Sequence, residues 1–283
     1  MLLKFVLPKG RQFKSIQTLL NDAGIKLAGS ERNYRPACND PDLEIKMLKS
    51  QNIPPLLAWG RHDIGFAGKD WIEEQSAEVV SMLDLGFDPV RIVASIPEDW
   101  DWEEVKARKL IAVSEYTNIS KRYLEKEGID STFIRAFGAT EVFPPEDADL
   151  VIDNTSTGTT LKENRLKIVD TLMTSSTQFI ADPRALDDPA KRSKIEDMVL
   201  LFESVLEGRK RVLLEMNCDE NRLEEVVNAL PAMKSPTISK LFRQDGFAVK
   251  AAVLKSEVRE LLPRLRAAGA ADILETPIRK VMP

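Results

Sequence analysis

The sequence predicts an α/β protein with two similar lobes followed by a smaller C-terminal domain. Over the first two thirds of the 283 residues, short apolar runs alternate with amphipathic stretches, which is the pattern of strands and helices in parallel-type sheets. From Lys210 onward the predicted order changes to βαββαβ, the split βαβ or ferredoxin-like arrangement. We therefore expect a first lobe at residues 1–88 and 177–209, a second lobe at 89–176 and the C-terminal domain at 210–283.

The first lobe begins with a βαβαβ series, the usual start of a parallel sheet. Its predicted elements are strand 2–7, helix 13–23, strand 43–49, helix 54–59 and strand 63–66. Residues 168–180 have the Val, Thr and Phe content of a strand and are predicted to carry the chain back to this lobe. A long helix at 193–206 then completes it.

The second lobe repeats the alternation of strands and helices. Its predicted elements are strand 91–95, helix 102–108, strand 110–113, helix 120–127, strands 131–137 and 150–152, and a helix at 161–170. Two lobes joined by crossing segments enclose a cleft. Ligands of such sheets bind outside the carboxyl ends of the strands, which is where Lys9, Gly68 and Asp153 are expected.

The C-terminal domain is predicted from the order of its elements. These are strand 212–216, helix 220–229, strands 237–242 and 247–254, helix 256–267 and strand 272–277. The ferredoxin-like fold is widely used in small regulatory modules. Because a fold alone assigns no ligand, the order of elements leaves the effector open.

A loop rich in hydroxyl groups follows the predicted strand 150–152, within the run Asp-Leu-Val-Ile-Asp-Asn-Thr-Ser-Thr-Gly-Thr-Thr-Leu at 149–161. Gly158 permits close approach of the backbone to an anion, and amide N–H groups before a helix can bind phosphate oxygens. The hydroxyl groups are those of Thr155, Ser156, Thr157, Thr159 and Thr160. The pattern predicts a phosphate-binding turn, with a Ser/Thr-rich helix cap as the alternative.

Asp153 in the same run indicates a phosphorylated sugar as the ligand. A carboxylate beside a phosphate site accepts hydrogen bonds from ribose hydroxyls or helps to hold magnesium. The loop lacks the Gly-Lys-Ser/Thr of a Walker A motif and the three spaced glycines of a Rossmann fingerprint. A phosphoribosyl site is therefore the best match.

Two cations flank Gly10 in the turn after the first predicted strand. Lys9 and Arg11 are spaced so that both could reach one anionic group, such as a pyrophosphate or triphosphate, while the following helix N-terminus adds its partial positive charge. The alternative is a solvated basic turn.

A second turn after strand 63–66 carries further candidates. Gly65 and Gly68 permit close approach of a ligand, and Lys69 with Asp70 could frame a nucleotide. The alternative is that Asp70 caps a helix.

Composition argues against several classes of function. The formal net charge of −5 disfavours a nucleic-acid partner. No apolar run spans a membrane, and the N-terminal apolar run is too short for a secretory signal. Cys38 and Cys218 lie far apart, so we expect a reduced, cytoplasmic protein. No Cys/His spacing predicts a zinc site, and the lone His62 is interpreted as structural.

The loop resembles the signature of ATP phosphoribosyltransferases, the enzyme family that opens histidine biosynthesis. The similar run is 153–161, and further similar stretches occur in the family's order: Leu-Pro-Lys-Gly-Arg at 7–11, Asp-Ile-Gly-Phe-Ala-Gly-Lys-Asp at 63–70 and Gly-Ala-Thr-Glu at 138–141. Residues 230–237 resemble the regulatory domain of the long form of this family. The resemblance covers nearly the whole chain.

The resemblance implies a fold, a reaction and partners. The fold would be a two-lobed, periplasmic-binding-protein-like catalytic core followed by an ACT-like regulatory domain. The reaction would be magnesium-dependent transfer of a phosphoribosyl group from phosphoribosyl pyrophosphate to N1 of ATP, with Mg²⁺ bound to the substrates. Histidine would inhibit, and the long form resembles a homo-oligomer, a hexamer with a dimer in equilibrium.

The resemblance also implies roles for individual residues. Catalytic roles fall on Lys9, Arg11 and Asp153. Phosphoribosyl pyrophosphate would be bound by Glu141, Asp153, Thr155, Ser156, Thr157, Gly158, Thr159 and Thr160. ATP would be bound by Lys9, Arg11, Gly68, Lys69, Asp70 and Tyr116, with Tyr116 stacking on adenine or, alternatively, packing in the core. Histidine would contact Asp219, Ser235 and Thr237, whose alternative roles are a turn and helix caps.

Two other functions remain open from the residues. A non-catalytic, two-lobed sensor of a small molecule would also use such a cleft, although the phosphate loop disfavours it. A phosphoribosyltransferase that uses another base would share every motif named above. An assay with ATP and with other acceptors discriminates between these possibilities.

Overall fold

The structure is a computed structural model that describes residues 2–29, 33–231, 235–242 and 245–282. The chain divides into two compact units. The first comprises Met1–Asn21 and Ile25–Glu196, and the second comprises Asp22–Gly24 and Asp197–Pro283. None of the described helices is both long and apolar enough to cross a membrane.

The first part of the chain forms six strands and three helices, apart from single 3₁₀ turns, within the described residues. They are β1 (Leu3–Pro8), α1 (Arg11–Ala23), β2 (Leu27–Ala28), β3 (Ala37–Cys38), β4 (Leu43–Leu48), α2 (Ile53–Ala58), β5 (Ile64–Gly68), α3 (Lys69–Glu74) and β6 (Val80–Asp84). Strands β2, β3 and β6 were not predicted from the sequence. The strand β6 is mostly exposed or half-buried, so it lacks the apolar pattern of a core strand.

The middle of the chain follows with β7 (Val90–Pro97), α4 (Trp102–Lys106), β8 (Leu110–Ser114), α5 (Thr117–Lys126), β9 (Ser131–Arg135), β10 (Leu150–Thr155), α6 (Thr159–Glu163), β11 (Leu166–Ser175), β12 (Thr177–Ala181), α7 (Pro183–Asp187) and α8 (Pro189–Arg209). The last part comprises β13 (Arg211–Cys218), α9 (Leu223–Ala229), β14 (Thr237–Lys240), β15 (Phe247–Leu254), α10 (Val258–Ala267) and β16 (Ala271–Pro277).

The first sheet has five strands in the order β4-β1-β5-β12-β6. β1 is parallel to β4 and β5, whereas β12 is antiparallel to β5 and β6. Its core contains the fully buried rings of Phe5, Phe66 and Phe179, whose centroids lie 5.2 to 6.1 Å apart. Nearly continuous apolar strands are expected where both faces of a sheet are covered.

The second sheet has the order β11-β7-β10-β8-β9. β8 is parallel to β9 and β10, whereas β7 is antiparallel to β10 and β11. Helices α4 and α5 contribute Val105, Ile119 and Leu124 to its core. Both sheets contain parallel pairs, so the predicted α/β fold class is confirmed.

One predicted strand is in fact two strands in different sheets. Residues 168–180 were expected to form a single element, but β11 pairs with β7 in the second sheet and β12 pairs with β5 in the first. Only Ser176 separates them. The composition of 168–180 indicated extended backbone correctly, but it carries no information about the partner of each half.

The helix predicted at 161–170 is wrong. α6 ends at Glu163, and Arg165 has a left-handed backbone with a φ of 54°. From Leu166 the chain pairs with β7 over the whole length of β11. The Leu and Ile residues that suggested helical spacing are therefore shared between a single helical turn and a long strand.

Gly65 allows α2 to pack closely on β5. A Cβ atom at this position would lie 3.0 Å from side-chain methyl groups of Ile53 and Val6 and 3.1 Å from the carbonyl oxygen of Val6. We expect Gly65→Ala to lower the free energy of unfolding by about 2 kcal/mol through overpacking, measured by urea denaturation. Adding Val6→Ala should relieve part of this loss. An unchanged midpoint in Gly65→Ala would show that the packing here is loose.

The second unit contains a four-stranded antiparallel sheet in the order β14-β15-β13-β16. Alternate side chains of β13 are buried, and helices α9 and α10 contribute Val226, Leu261 and Leu265 to the same core. This is the arrangement predicted from the order βαββαβ, so the ferredoxin-like fold of the C-terminal domain is confirmed. Cys38 and Cys218 are both free thiols.

Candidate active site

The hydroxyl-rich loop joins β10 to α6. Gly158 has a left-handed backbone with a φ of 81°, and its N–H donates to Thr155 Oγ1 at 2.9 Å. That bond uses the buried hydroxyl of Thr155 inside the turn. The remaining hydroxyl side chains are exposed and belong to Ser156, Thr157, Thr159 and Thr160. The loop therefore presents hydroxyl groups that can donate hydrogen bonds to an oxyanion.

Asp153 is half-buried in β10, close to this loop. One carboxylate oxygen accepts hydrogen bonds from the backbone N–H of Asn154 at 2.6 Å and from its Nδ2 at 3.1 Å. The other oxygen accepts a hydrogen bond from the hydroxyl of Thr140. Burial raises the pKa of Asp153; these bonds oppose the increase and the charge of Glu141 adds to it. A cation or a hydroxyl donor beside Asp153 would thus stabilise its charged form.

Two further carboxylates interact electrostatically with Asp153. Glu141 lies in a single 3₁₀ turn, Thr140–Val142, preceded by Ala139 with a left-handed φ of 48°. Glu115 directly follows β8; burial raises its pKa, and the charge of Asp153 raises it further. Glu141 was predicted from the sequence, whereas Glu115 was not. Its place just after a predicted strand was the signal that could have revealed it.

The raised pKa of Asp153 predicts a pH-dependent gain in stability for Asp153→Asn. Below the usual carboxyl pKa of 3.8 Asp153 is neutral whether folded or unfolded, and as the pH rises through its higher folded pKa the native state must hold an unfavourable charge. We expect the melting temperature of Asp153→Asn to exceed that of the parent at neutral pH and to converge with it near pH 4. The opposite trend would mean that the native site favours the charged carboxylate.

A cavity of about 250 Å³ adjoins Asn154 and is lined by residues of helices α1 and α3 and of strands β7, β10 and β11 of the second sheet, among others. The predicted residues Arg11, Asp70 and Tyr116 all line it. Its other lining residues are Gln12, Gln51, Trp71, Asp88, Val90, Glu115, Asn154, Ser175 and Ser176. The structure thus brings three predicted ATP-binding residues to one cleft, together with a neighbour of Asp153.

Lys9 and Arg11 line different cavities. Lys9 lies with its Nζ 3.3 Å from the centre of the Tyr34 ring and lines a cavity of about 560 Å³ that also contains Lys14. Arg11 lines the cleft and pairs with Asp88 at 3.8 Å. The structure therefore does not bring the two cations to one anionic group, because the side chains on either side of Gly10 line different cavities.

Lys69 and Gly68 are not among the residues that line this cleft. Lys69 is exposed and lines a third cavity, of about 410 Å³, together with Arg122 and Lys126. Gly68 immediately precedes α3, and a Cβ atom there would collide with the carboxylate of Asp70. The absence of a side chain at Gly68 is thus explained by the packing of Asp70.

Tyr116 packs in the core and does not present its ring to the cleft. Only 1% of the residue is exposed, and its ring stacks on Trp71 with centroids 4.8 Å apart. Its hydroxyl donates to Asp70 Oδ2 at 2.7 Å, and Asp70 Oδ1 accepts a hydrogen bond of 2.7 Å from Ser175 Oγ. Burial raises the pKa of Tyr116, and the neighbouring Asp70 raises it further. The packing alternative therefore describes Tyr116, and adenine stacking on its ring does not.

The three predicted histidine-binding residues lie in the second unit. Asp219 is exposed and directly precedes the 3₁₀ turn Glu220–Arg222, whereas the exposed Ser235 precedes β14 and the exposed Thr237 begins it. Part of the 230–237 segment, residues 232–234, lies outside the described residues. The histidine site therefore stays a prediction.

Sequence comparison identifies the family of the chain. A family model described as ATP phosphoribosyltransferase matches residues 49–204, and one described as the C-terminal domain of HisG matches residues 208–280. The chain belongs to the ATP phosphoribosyltransferase family. It is therefore a pentosyltransferase of the family that acts in histidine biosynthesis, and the resemblance seen in its motifs is confirmed.

Individual relatives of the ATP phosphoribosyltransferase family match over the whole length. Proteins named ATP phosphoribosyltransferase from Desulforudis audaxviator and Chlorobium phaeovibrioides are 39% and 38% identical; the alignments cover 100% and 99% of this chain and 100% and 97% of those proteins. A chain of the ATP phosphoribosyl transferase (HisG:HisZ) complex from Thermotoga maritima is 25% identical, with a TM-score of 0.64 over 71% of this chain and 99% of that one. These matches agree with a two-lobed, periplasmic-binding-protein-like core.

Proposed function

We propose that the chain transfers the phosphoribosyl group of phosphoribosyl pyrophosphate to N1 of ATP, releasing pyrophosphate, in the first step of histidine biosynthesis. The observation that carries this proposal is the junction at the end of β10. There a half-buried carboxylate, Asp153, is followed within a few residues by the exposed hydroxyls of the loop, and its neighbour Asn154 lines the cleft. A phosphorylated ribose needs this combination of partners.

The loop would hold the 5-phosphate of the sugar. The hydroxyls of Ser156, Thr157, Thr159 and Thr160 are exposed and can donate to phosphate oxygens once the 2.8 Å hydrogen bond between Thr157 and Thr159 is exchanged for bonds to the ligand. Thr155 and Gly158 would act indirectly, because the hydrogen bond between them shapes the turn. Fixing the phosphate fixes the position of the sugar carbon at which the bond to pyrophosphate breaks.

Asp153 and Glu141 would act on the ribose itself. Carboxylates accept hydrogen bonds from ribose hydroxyls and stabilise the positive charge that develops on the sugar as pyrophosphate departs. Asp153 is half-buried, so its carboxylate would attract the cationic sugar of the transition state more strongly than the uncharged sugar of the ground state. This difference is what accelerates a reaction.

Magnesium would arrive with phosphoribosyl pyrophosphate. Within the described ranges, no group of three or more His, Cys, Asp or Glu side chains could hold a metal ion unaided. Burial raises the pKa of both Asp153 and Glu115, and the charge of Asp153 raises that of Glu115 further. A cation carried by the substrate would offset these effects, so the two carboxylates fit such a cation. When bound, the ion would supply neutralisation of the charge on the leaving pyrophosphate.

ATP would occupy the cleft lined by Arg11 and Asp70. Arg11 is well placed for phosphate oxygens because its pairing with Asp88 at 3.8 Å is loose. Lys9 would meet ATP phosphates from the neighbouring cavity, which it shares with Lys14. Lys69 would contribute by its positive field rather than by contact with the base.

The C-terminal domain would bind histidine and inhibit the enzyme. Support comes from its complete ferredoxin-like fold and from the match to the C-terminal family model. Asp219, Ser235 and Thr237 are exposed and free to meet a ligand with an ammonium group and an imidazole. We further propose a homo-oligomer, a hexamer with a dimer in equilibrium, because symmetric assembly lets a distant effector act through interfaces.

The deciding experiment measures pyrophosphate release by the purified chain with phosphoribosyl pyrophosphate and magnesium. Reactions with ATP, without an acceptor, with other bases and with added histidine are run side by side. Release that requires ATP and falls with histidine would support both parts of the proposal. Release with another base alone would change the acceptor. Ligand binding without release under any condition would leave a sensor.

A further inference from the structure

A continuous chain of hydrogen bonds links α3 and β11 to the predicted ribose carboxylate. Ser175 donates to one oxygen of Asp70 at 2.7 Å, and the hydroxyl of Tyr116 donates to the other at 2.7 Å. Asn154 Nδ2 then donates to Tyr116 Oη and to Asp153 Oδ1, each at 3.1 Å. The first three members are at least 95% buried.

This chain of hydrogen bonds determines the orientation of the Asn154 side chain. Asn154 is itself exposed, so packing does not restrict its amide group. Its Nδ2 is held between the Tyr116 oxygen on one side and Asp153 on the other. The Tyr116 oxygen can accept this bond because its own proton is used by Asp70. The buried part of the chain therefore positions the exposed part.

We propose that Tyr116 is a positioning residue for phosphoribosyl transfer, which acts through Asn154 to orient the carboxylate of Asp153. This role rests on the proposed function, in which Asp153 contacts the ribose. Only 1% of Tyr116 is exposed and its ring is covered by Trp71, so the ring is not available to a substrate. The orientation of the Asp153 carboxylate thus depends on a tyrosine hydroxyl that is buried behind the site.

The proposal predicts which property of Asp153 changes when the hydroxyl is removed. Hydrogen bonds from Asn154 favour the charged carboxylate and oppose the effect of burial. Without the Tyr116 oxygen, the amide of Asn154 can rotate away, so Asp153 loses a donor. Its ionisation then moves to higher pH, and the acid limb of the rate profile moves with it.

The test compares Tyr116→Phe, Asn154→Ala and the double variant. Tyr116→Phe keeps the ring on Trp71 and removes only the oxygen. We expect kcat/KM for phosphoribosyl pyrophosphate to fall about tenfold, the size of effect expected for one hydrogen bond in a low-dielectric site. KM for ATP should change less, because the lost hydroxyl reaches the ATP cleft only through its bond to Asp70. The double variant should fall no further than Asn154→Ala, because Tyr116 acts through that residue.

Tyr123→Phe is the matched control. Tyr123 lies on α5 and is 7% exposed, and its hydroxyl is hydrogen-bonded to Asp170. Asp170 is not a member of the hydrogen-bond series that ends at Asp153. Titration of the Asp153 carboxyl by carbon NMR in the ligand-free protein gives a readout that needs no catalysis. We expect an upward shift in Tyr116→Phe and Asn154→Ala and none in Tyr123→Phe. Thermal unfolding checks that each variant is folded.

Three results would overturn the proposal. They are an unchanged Asp153 titration in Tyr116→Phe, a loss expressed mainly as a higher KM for ATP, and losses that multiply in the double variant. Failure of the proposed function is separate, because it appears as an absence of release in the parent chain. The titration would still decide the role of Tyr116 in that case.

Discussion

Asp153→Asn is expected to lower kcat/KM for phosphoribosyl transfer by about 10²–10³-fold while the protein remains folded. The amide has the shape of the carboxylate but no charge, so it cannot stabilise the cation that develops on the sugar. It can still take part in hydrogen bonds with Thr140 and Asn154, which are the native partners. The loss should therefore come from the transition state, and kcat should fall more than the affinity for phosphoribosyl pyrophosphate.

The control for this variant is Glu146→Gln. Glu146 is exposed in the segment between Glu141 and β10, and Glu146→Gln removes the same charge a few residues away in the sequence. Steady-state kinetics with both substrates, together with circular dichroism, compares the two variants. If both lose activity equally, the effect is one of the general electric field. If Asp153→Asn retains more than a tenth of the parental rate, Asp153 does not stabilise the transition state.

Glu74→Ala is expected to lower the free energy of unfolding by about 3 kcal/mol. Glu74 lies at the end of α3, is 5% exposed and has its carboxylate at the N-terminus of α5. It accepts hydrogen bonds of 3.0 Å from the backbone N–H groups of Asn118 and Ile119. The N-cap residue of α5, Tyr116, makes no side-chain capping bond, so Glu74 supplies the cap from another element.

The matched control for Glu74 is its neighbour on the same helix. The side chain of Glu73 is exposed, so Glu73→Ala removes the same groups and should change stability by less than about 0.5 kcal/mol. Glu74→Gln should lie between the two, because an amide retains one oxygen acceptor. Equal unfolding midpoints for Glu73→Ala and Glu74→Ala in urea would show that the cap contributes little.

The fold was predictable where local pattern decides the element. The C-terminal domain was identified because each of its strands and helices has a clear period and the order of elements restricts the topology. Pattern failed at 161–170 and at 168–180, where the identity of an element depends on the strand beside it. Whether a strand pairs with β7 or with β5 is decided by contacts that are distant in sequence.

The candidate site was predictable to a similar extent. Asp153 and the loop could be found because their residue types and spacing carry the chemistry locally. The hydrogen-bonded roles of Tyr116 and Asp70 could not be found this way, since they depend on how α3 packs against β11 and α5. Lys9 and Arg11 show the same limit, because closeness in sequence did not bring them to one cavity.

Ser176, the single residue between β11 and β12, limits how the two sheets can move relative to each other. The chain passes between the two sheets twice, at residues 85–89 and at Ser176, and Asp84 ties these passages together by accepting a hydrogen bond of 2.7 Å from Ser176 Oγ. Any rotation of one sheet against the other must be absorbed there. Because Asp88 and Ser176 line the cleft, a ligand that fills it touches the hinge, so binding and closure would share the same few residues.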